Sequence, residues 1–289
     1  MAIIEEFIVF GAVQSAVYAL LSMGYSLVYG VGGILNLAHG AYYLLATYLF
    51  YWLLPFFVGE FGFILGMILT LVLISIIGMA SYLLIIKPLQ DHEISVLIGT
   101  FALAFFCEQL VSVLFDPRTK SISSIWAVNI EIFGVKILLH RIILIITALV
   151  AVGIVTLFIS KSKLGKSIRA VSQDREAASL MGINVDRVLM YTVTISAFLA
   201  GLAAVFFSPI DRVAPYMGWV VLTDSIAIVI LGGMGSLPGS LVGAFILGYV
   251  RMFTNFFIDP VISTIMPVIV IIIILVIRPR GLFGKKEIK

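Results

Sequence analysis

Two polar side chains lie in the longest stretch of the sequence that carries no formal charge. Asn36 and His39 belong to the segment GVGGILNLAHG, residues 30–40, inside the run 7–59, which contains no Asp, Glu, Lys or Arg. On a helix, residues three apart share a face, and both side chains can donate and accept hydrogen bonds. We interpret Asn36, His39 and the adjacent Gly40 either as groups that hold an irregular backbone in place or as groups that contact a polar ligand.

A second segment, LGGMGSLPGS at residues 231–240, is half Gly and Pro. Both residue types disfavour a straight helix, because Gly is conformationally costly and Pro lacks the N–H donor. We therefore predict a break here. We assign Gly232, Gly233, Gly235 and Ser236, together with Asn36, His39 and Gly40, to one route by which a ligand would pass through the protein. The N-terminus of a half-helix that points into a cavity carries partial positive charge, which suits a carboxylate.

The composition shows which medium surrounds these segments. Of the 289 residues, 62% are hydrophobic and 11% charged, against about 45–50% and about 25% in soluble domains. The apolar runs are continuous and long enough for helices, of which about 20 residues cross a bilayer. We predict an all-α, polytopic membrane bundle of about eight helices, with a range of seven to nine. Residues 1–289 would form one transmembrane domain, with broken or re-entrant segments near 30–40 and 231–240.

Two interrupted apolar segments in the two halves of a chain are typical of transporters. The windows 7–59 and 225–277 are similar in construction, although Arg251 and Asp259 interrupt the second. Because their glycine clusters fall at different offsets, we predict similar construction without an aligned internal repeat.

A few further polar groups lie within apolar runs. We expect Asp224 to cap the outer end of a half-helix, and Arg251 to snorkel or to pair with Glu108. The single cysteine, Cys107, excludes an internal disulfide framework. No paired carboxylates or metal-ligand spacings occur in these runs, so we predict neither catalytic residues nor a metal site.

Five aromatic residues follow the first glycine-rich segment. They could line the route, but we favour an interfacial, lipid-facing belt for them: Tyr42, Tyr43, Tyr48, Tyr51 and Trp52.

The basic residues predict the orientation. Of the 18 Lys and Arg residues, six lie within 161–187 and five within 278–289. The positive-inside rule places both segments in the cytoplasm, with the N-terminus outside. The net charge of +3 comes with no basic stripe among aromatics, so nucleic-acid binding has no support.

The cytoplasmic loop at 161–187 contains the sequence EAASLMG, residues 176–182, which predicts a short helix. Asp174 is a suitable N-cap, and Gly182 can adopt the left-handed conformation after the last turn. A helix of this length is unstable alone in water. The sequence leaves two interpretations open: a polar loop with incidental helicity, or a helix that offers the small face of Ala177, Ala178 and Met181 to another protein.

Glu-Ala-Ala, three residues and Gly, starting at Glu176, resembles the coupling loop of permeases of ATP-binding-cassette (ABC) importers. NLAHGAYYLLATY (36–48) and LGGMGSLPGSLVGAFILG (231–248) resemble the two signature regions of LivH-type permeases, which belong to branched-chain amino acid importers. The order and spacing of all three motifs match that family. The resemblance implies that seven residues take part in coupling to the ATPase: Arg169, Asp174, Glu176, Ala177, Ala178, Met181 and Gly182.

The resemblance also implies partners. These are two ABC ATPase subunits, a second permease subunit that would form a heterodimer with this chain, and an extracytoplasmic substrate-binding protein, in a prokaryotic plasma (inner) membrane. The chain lacks a Walker A sequence, so ATP and Mg would be bound by the partner ATPases and this chain would hold no cofactor.

Two alternatives concern the substrate and the driving force. Branched-chain or other apolar amino acids are the expected substrates, with urea, short amides or aromatic compounds as alternatives among relatives. The alternative mechanism is an ion-coupled secondary transporter in which His39, Glu108, Asp224 or Arg251 relay a proton or sodium ion.

Overall fold

The computed structural model describes residues 2–57, 59–132 and 135–284. Its twelve helices in these ranges are α1 (Ala2–Gly32), α2 (His39–Leu53), α3 (Gly59–Ser81), α4 (Lys87–Leu89), α5 (Glu93–Phe115), α6 (Leu139–Lys161), α7 (Lys163–Gln173), α8 (Arg175–Leu180), α9 (Val185–Phe207), α10 (Met217–Gly232), α11 (Leu237–Phe257) and α12 (Pro260–Ile277). A 3₁₀ turn, Leu54–Phe56, follows α2, and a π-helical turn, Tyr82–Ile86, joins α3 to α4. An antiparallel hairpin of β1 (Asn129–Ile132) and β2 (Val135–Leu138) precedes α6.

Within the described ranges, seven helices are long and apolar enough to cross a membrane. They are α1, α3 together with α4, α5, α6, α9, α11 and α12. Two further helices in the bundle are shorter, since α2 has 15 residues and α10 has 16. The predicted range of seven to nine helices is confirmed, and each short helix lies next to one of the two predicted breaks.

The first break separates α1 from α2. The helix α1 ends at Gly32, and Gly33 has a φ of +65°, which favours glycine. Oδ1 of Asn36 accepts a hydrogen bond from the N–H of Ala38 at 3.1 Å, and the N–H of Leu37 donates to Oγ1 of Thr100 at 3.1 Å. Asn36 therefore lies outside the helix, so the expectation that it shares a helical face with His39 was wrong.

The second break separates α10 from α11. Gly233 and Gly235 have φ values of +103° and +79°, and Oγ of Ser236 accepts from the N–H of Gly239 at 3.2 Å, which caps α11. Beyond α12, the chain returns to this break. The N–H groups of Leu282 and Phe283 donate to the carbonyls at the end of α10, each at 2.9 Å.

The helices form two units of inverted topology, α1–α5 and α9–α12. Each unit packs its first helix against the other unit, because α1 lies antiparallel along α11 and α9 lies antiparallel along α3. The helices α1 and α9 are themselves antiparallel, because Gly24 contacts Ser196 and Gly32 contacts Leu189. The starts of α2 and α10 and the starts of α3 and α11 are separated by the same number of residues. The chain thus contains a repeat that we did not predict, and it pairs α1–α5 with α9–α12.

The two units meet where the short helices begin. A Cβ at Gly218 would lie 3.0 Å from the carbonyl oxygen of Gly40 and 3.4 Å from Cβ of Leu44. Reciprocally, a Cβ at Gly40 would overlap the carbonyl oxygen of Gly218 and lie 3.0 Å from Cβ of Leu222. Each contact is repeated at the equivalent position of the other unit. The backbones of α2 and α10 can touch here because both residues lack a side chain.

The contact at Gly40 generates a stability prediction. We expect Gly40→Ala to lower the melting temperature of the purified protein in detergent, since overpacking typically costs about 1–3 kcal/mol. The matched control is Gly153→Ala in α6, where an added Cβ has no atom within 4 Å and the better helix propensity of Ala applies. Equal melting temperatures for the two variants would show that the α2–α10 contact is not tight.

Candidate functional site

A cavity of about 490 Å³ opens between α1, α10, α11 and α12. The connection between α9 and α10 borders it, through Asp211 and Arg212. The cavity therefore lies towards the end of the bundle that is opposite α7 and α8. Its walls combine apolar side chains, such as those of Leu21 and Val221, with polar ones, such as those of Gln14 and Asn255, so a small molecule with both polar and apolar parts suits it.

A buried ion pair lies in the wall of this cavity. Nη1 of Arg251, on α11, donates to Oδ2 of Asp224, on α10, at 2.5 Å. The hydroxyl of Tyr18, on α1, donates to the same oxygen at 2.8 Å, and Arg251 also contacts that hydroxyl. Only 5% of the Asp224 side chain and 17% of the Arg251 side chain are exposed. Three helices are thereby connected through one carboxylate oxygen.

The ion pair corrects two expectations. Asp224 is an interior residue of α10 and is no N-cap, because the helix begins earlier, at Met217. Arg251 pairs with Asp224, whereas Glu108 accepts a hydrogen bond from Nε1 of Trp219. The sequence could not show this pairing, since every pair of intramembrane charges is equally plausible until the helices are placed.

The expectation of a lipid-facing aromatic belt was wrong for three of the tyrosines. Tyr42, Tyr43 and Tyr48 are each only 1% exposed, so they lie in the core and not in a lipid-facing belt. The Tyr42 hydroxyl lies 2.5 Å from Oγ of Ser81. Trp52 is 51% exposed, as a residue facing lipid would be. The tyrosines are buried because α2 is surrounded by α3, α5, α9 and α10.

His39 and Gly40 lie in the middle of the bundle. Nδ1 of His39 lies 3.0 Å from Oγ of Ser196, which is the central residue of α9. The imidazole is fully buried and makes an edge contact with Tyr25, with ring centroids 5.5 Å apart. With Asn36 at the break, these residues hold the start of α2 against α9 and α10.

The other predicted route residues lie elsewhere. Gly235 and Ser236 line a second cavity, of about 420 Å³, together with Gly30 and Arg169. Gly232 and Gly233 lie beside it, against the returning chain after α12. The structure therefore divides the predicted route residues between the centre and one end of the bundle. The lining of the 490 Å³ cavity includes neither group.

The predicted coupling segment, residues 161–187, contains two helices, α7 and α8. Asp174 caps α8 as predicted, because its Oδ1 accepts from the N–H of Ala177 at 2.9 Å, and Gly182 has a φ of +82°. Glu176 and Ala177 are exposed. Ala178 is 5% exposed, so its assignment to the exposed face was wrong. The exposed apolar side chains at this end of α8 are those of Leu180, which we did not predict, and Met181, which we did. Leu180 is 89% exposed and Met181 is 83% exposed.

The helix α7 was not predicted from the sequence. Its signals are Ser162, whose Oγ accepts from the N–H of Gly165 at 2.8 Å, and the helical spacing of Leu164, Ile168 and Val171. The guanidinium group of Arg169 donates to the carbonyl of Ile159, at the end of α6. Arg169 thus contacts the bundle as well as the second cavity.

A polar network connects the start of α8 to the bundle. Arg175 donates to Oε1 of Gln90 at 3.4 Å, and Gln90 donates to Oδ1 of Asp186 at 3.1 Å. Lys87 forms an ion pair with Asp186 at 3.3 Å. We did not predict this network, although the loop at 161–187, which contains Arg175 and Asp186, was placed on the cytoplasmic side.

Comparisons with known proteins show what the chain is similar to. A protein family described as "Branched-chain amino acid transport system / permease component" matches residues 7–275. The high-affinity branched-chain amino acid transport permease LivH of Escherichia coli K12 is 30% identical over 254 residues, which cover 81% of this chain and 82% of LivH. The equivalent BraD of Pseudomonas aeruginosa is 29% identical, with 79% of each chain covered.

One solved structure has the same fold. PsaBC from Streptococcus pneumoniae in complex with Fab superposes with a TM-score of 0.55 at 12% identity. The match covers 95% of this chain and 92% of that chain. The similarity confirms the polytopic helical bundle.

The buried ion pair generates a second stability prediction. Asp224→Ala leaves the Arg251 guanidinium without its counter-charge, and removing one partner of a buried pair costs about 3–5 kcal/mol. The double variant Asp224→Asn with Arg251→Gln removes both charges and keeps a polar side chain at each position. We expect a drop of several degrees in the melting temperature for the single variant and recovery of most of it in the double variant. A double variant as unstable as the single one would contradict this.

Proposed function

The chain belongs to the family of branched-chain amino acid transport permease components of ABC importers, and from this premise we propose that it carries branched-chain or other apolar amino acids. It is a multi-pass inner-membrane protein. The observation that carries the proposal is the family match, which extends over residues 7–275 and includes both breaks and the coupling segment.

Transport is driven by ATPase subunits that dock on α8. The support is the exposure of two large apolar side chains, Leu180 and Met181, at the C-terminal end of a helix of six residues that cannot be stable alone. Glu176 and Ala177 are exposed beside them. A short helix with an apolar tip and an acidic first turn suits a groove on a partner protein. ATP and Mg bind to those partners, and this chain holds no cofactor.

Motion of α8 reaches the centre of the bundle through α9. The N–H of Ile183 donates to the carbonyl of Ala178 at 3.1 Å, and Asn184 then caps α9. Halfway along α9, Ser196 contacts His39 at the start of α2. Rotation or displacement of α9 therefore changes the junction where α2 meets α10. In this scheme Asn36, His39 and Gly40 control the opening of the route, and the Gly232–Ser236 break permits α10 and α11 to move separately.

The complete importer contains two ATPase subunits, a second permease subunit in a heterodimer with this chain, and an extracytoplasmic substrate-binding protein. The loop containing α7 and α8 and the C-terminal segment face the cytoplasm, in accordance with their excess of Lys and Arg. The 490 Å³ cavity then faces the side from which the binding protein delivers substrate.

Co-purification and reconstitution test this function. The full-length chain is expressed with an affinity tag, and the ATPases and binding protein that co-purify with it are identified. The complex is then inserted into liposomes. We expect accumulation of radiolabelled leucine that requires ATP on the ATPase side and that valine and isoleucine inhibit. Uptake by the chain without ATPases, driven by a proton or sodium gradient, would overturn the proposal. Inhibition by urea, acetamide or aromatic acids, without inhibition by valine, would change the substrate class.

Charge reversal at the coupling helix gives a third prediction. Glu176→Lys places a positive charge at the positive N-terminal end of α8 and on its docking face, so we expect loss of ATPase co-purification and at least a tenfold lower uptake, with an unchanged melting temperature. The control is Glu60→Lys, which reverses an exposed acid in the first turn of α3 and should retain the ATPases. Full ATPase association in Glu176→Lys would exclude α8 as the docking element.

A further inference from the structure

We propose that Asp224 and Arg251, together with Tyr18, bind the ammonium and carboxylate groups of a zwitterionic amino acid in the 490 Å³ cavity. This inference rests on the proposed function and specifies a site for it. Tyr18, Asp224 and Arg251 all belong to the cavity wall, so a molecule in the cavity can reach both charges.

The geometry of the triad leaves groups available for a ligand. The hydrogen bonds from Tyr18 and Arg251 both go to Oδ2 of Asp224. The second carboxylate oxygen, Oδ1, takes no part in these bonds, and neither do the other N–H groups of the guanidinium, which has five donors in all. Oδ1 suits an ammonium group, and the guanidinium suits a carboxylate, which it can bind in bidentate geometry.

A zwitterion matches this site for an electrostatic reason. Neither charge of an amino acid is stable in hydrocarbon without a counter-charge. When a zwitterion replaces part of the Asp224–Arg251 contact, each of the four charges keeps an opposite neighbour throughout. A ligand with only one charge leaves either the carboxylate or the guanidinium unpaired, and such a buried charge is costly. The site thus selects molecules that carry both groups.

Part of the remaining wall suits an aliphatic side chain. Val17, Leu21, Val220, Val221 and Met252 line the cavity near the triad. Its volume falls within the range of about 300–1,000 Å³ that is usual for small-molecule sites. Asp211 and Arg212, from the connection before α10, also border the cavity, so a second pair of opposite charges stands at its edge.

Neutralisation of the triad tests the inference in the complete, reconstituted importer. The double variant Asp224→Asn with Arg251→Gln contains no unpaired charge and is compared with the wild type for ATP-driven leucine uptake. We expect at least a tenfold loss of uptake with a retained melting temperature and retained ATPases. The control is Glu108→Gln, which neutralises an intramembrane acid that lies outside the cavity lining and should transport leucine at the wild-type rate.

Site-directed labelling tests the position of the ligand. In a Cys107→Ala background, Asn255→Cys places a thiol in the cavity wall, and its reaction with a small maleimide is followed in the full chain. Millimolar leucine should slow the reaction at least threefold. Leucine amide, which lacks the carboxylate, and 4-methylpentanoate, which lacks the ammonium, should protect poorly. In the neutral double variant, leucine should give no protection.

The outcomes separate this inference from the proposed function. If the wild-type complex accumulates leucine with ATP, but the neutral double variant does so equally well, the triad is a structural ion pair and only this inference fails. Equal protection by leucine and its two singly charged analogues also overturns it. If the wild-type complex shows no ATP-driven uptake of amino acids, the proposed function fails as well.

Discussion

The contact between the backbones of Gly40 and Gly218 sets the geometry of the bundle. In a lipid environment, irregular backbone is tolerated only where protein or water surrounds it, because its N–H and C=O groups need partners. The starts of α2 and α10 are such places, and their direct contact buries both in the centre of the protein. The first helix of each unit supports this junction, because α9 packs against α2 and α1 packs against α10.

The sequence predicted the class of the fold and the positions of its irregularities well, because both depend on local composition. Glycine clusters identify places where helices end, and the apolar runs identify the spans. The inverted repeat was missed because few residues match between its halves. Gly40 corresponds to Gly218 and Leu44 to Leu222, but His39 corresponds to Met217 and Gly59 to Leu237. A repeat maintained mainly by packing leaves little trace in a single sequence.

Site prediction succeeded where the relevant interaction is local and failed where it is distant. Asp174 caps α8 by accepting a hydrogen bond from an N–H group three residues further along the chain, which a sequence pattern can show. The partner of Asp224 lies on the next helix and that of Glu108 on a distant one, so their assignment required the tertiary structure. Ala178 was misjudged because α8 lies against α7 and α9, and composition cannot tell which side of a short helix is covered.

The helix α6 belongs to neither inverted unit, and it determines how the polypeptide can be inserted during synthesis. With α2 and α10 counted as crossings, each unit crosses four times and returns the chain to the side on which it began. The additional crossing by α6, ahead of the segment that contains α7 and α8, gives the second unit the opposite orientation. Without it both units would enter the membrane in the same sense, and the reciprocal contact between Gly40 and Gly218 could not form. A peripheral helix of low burial is therefore a topological requirement for the central junction of the protein.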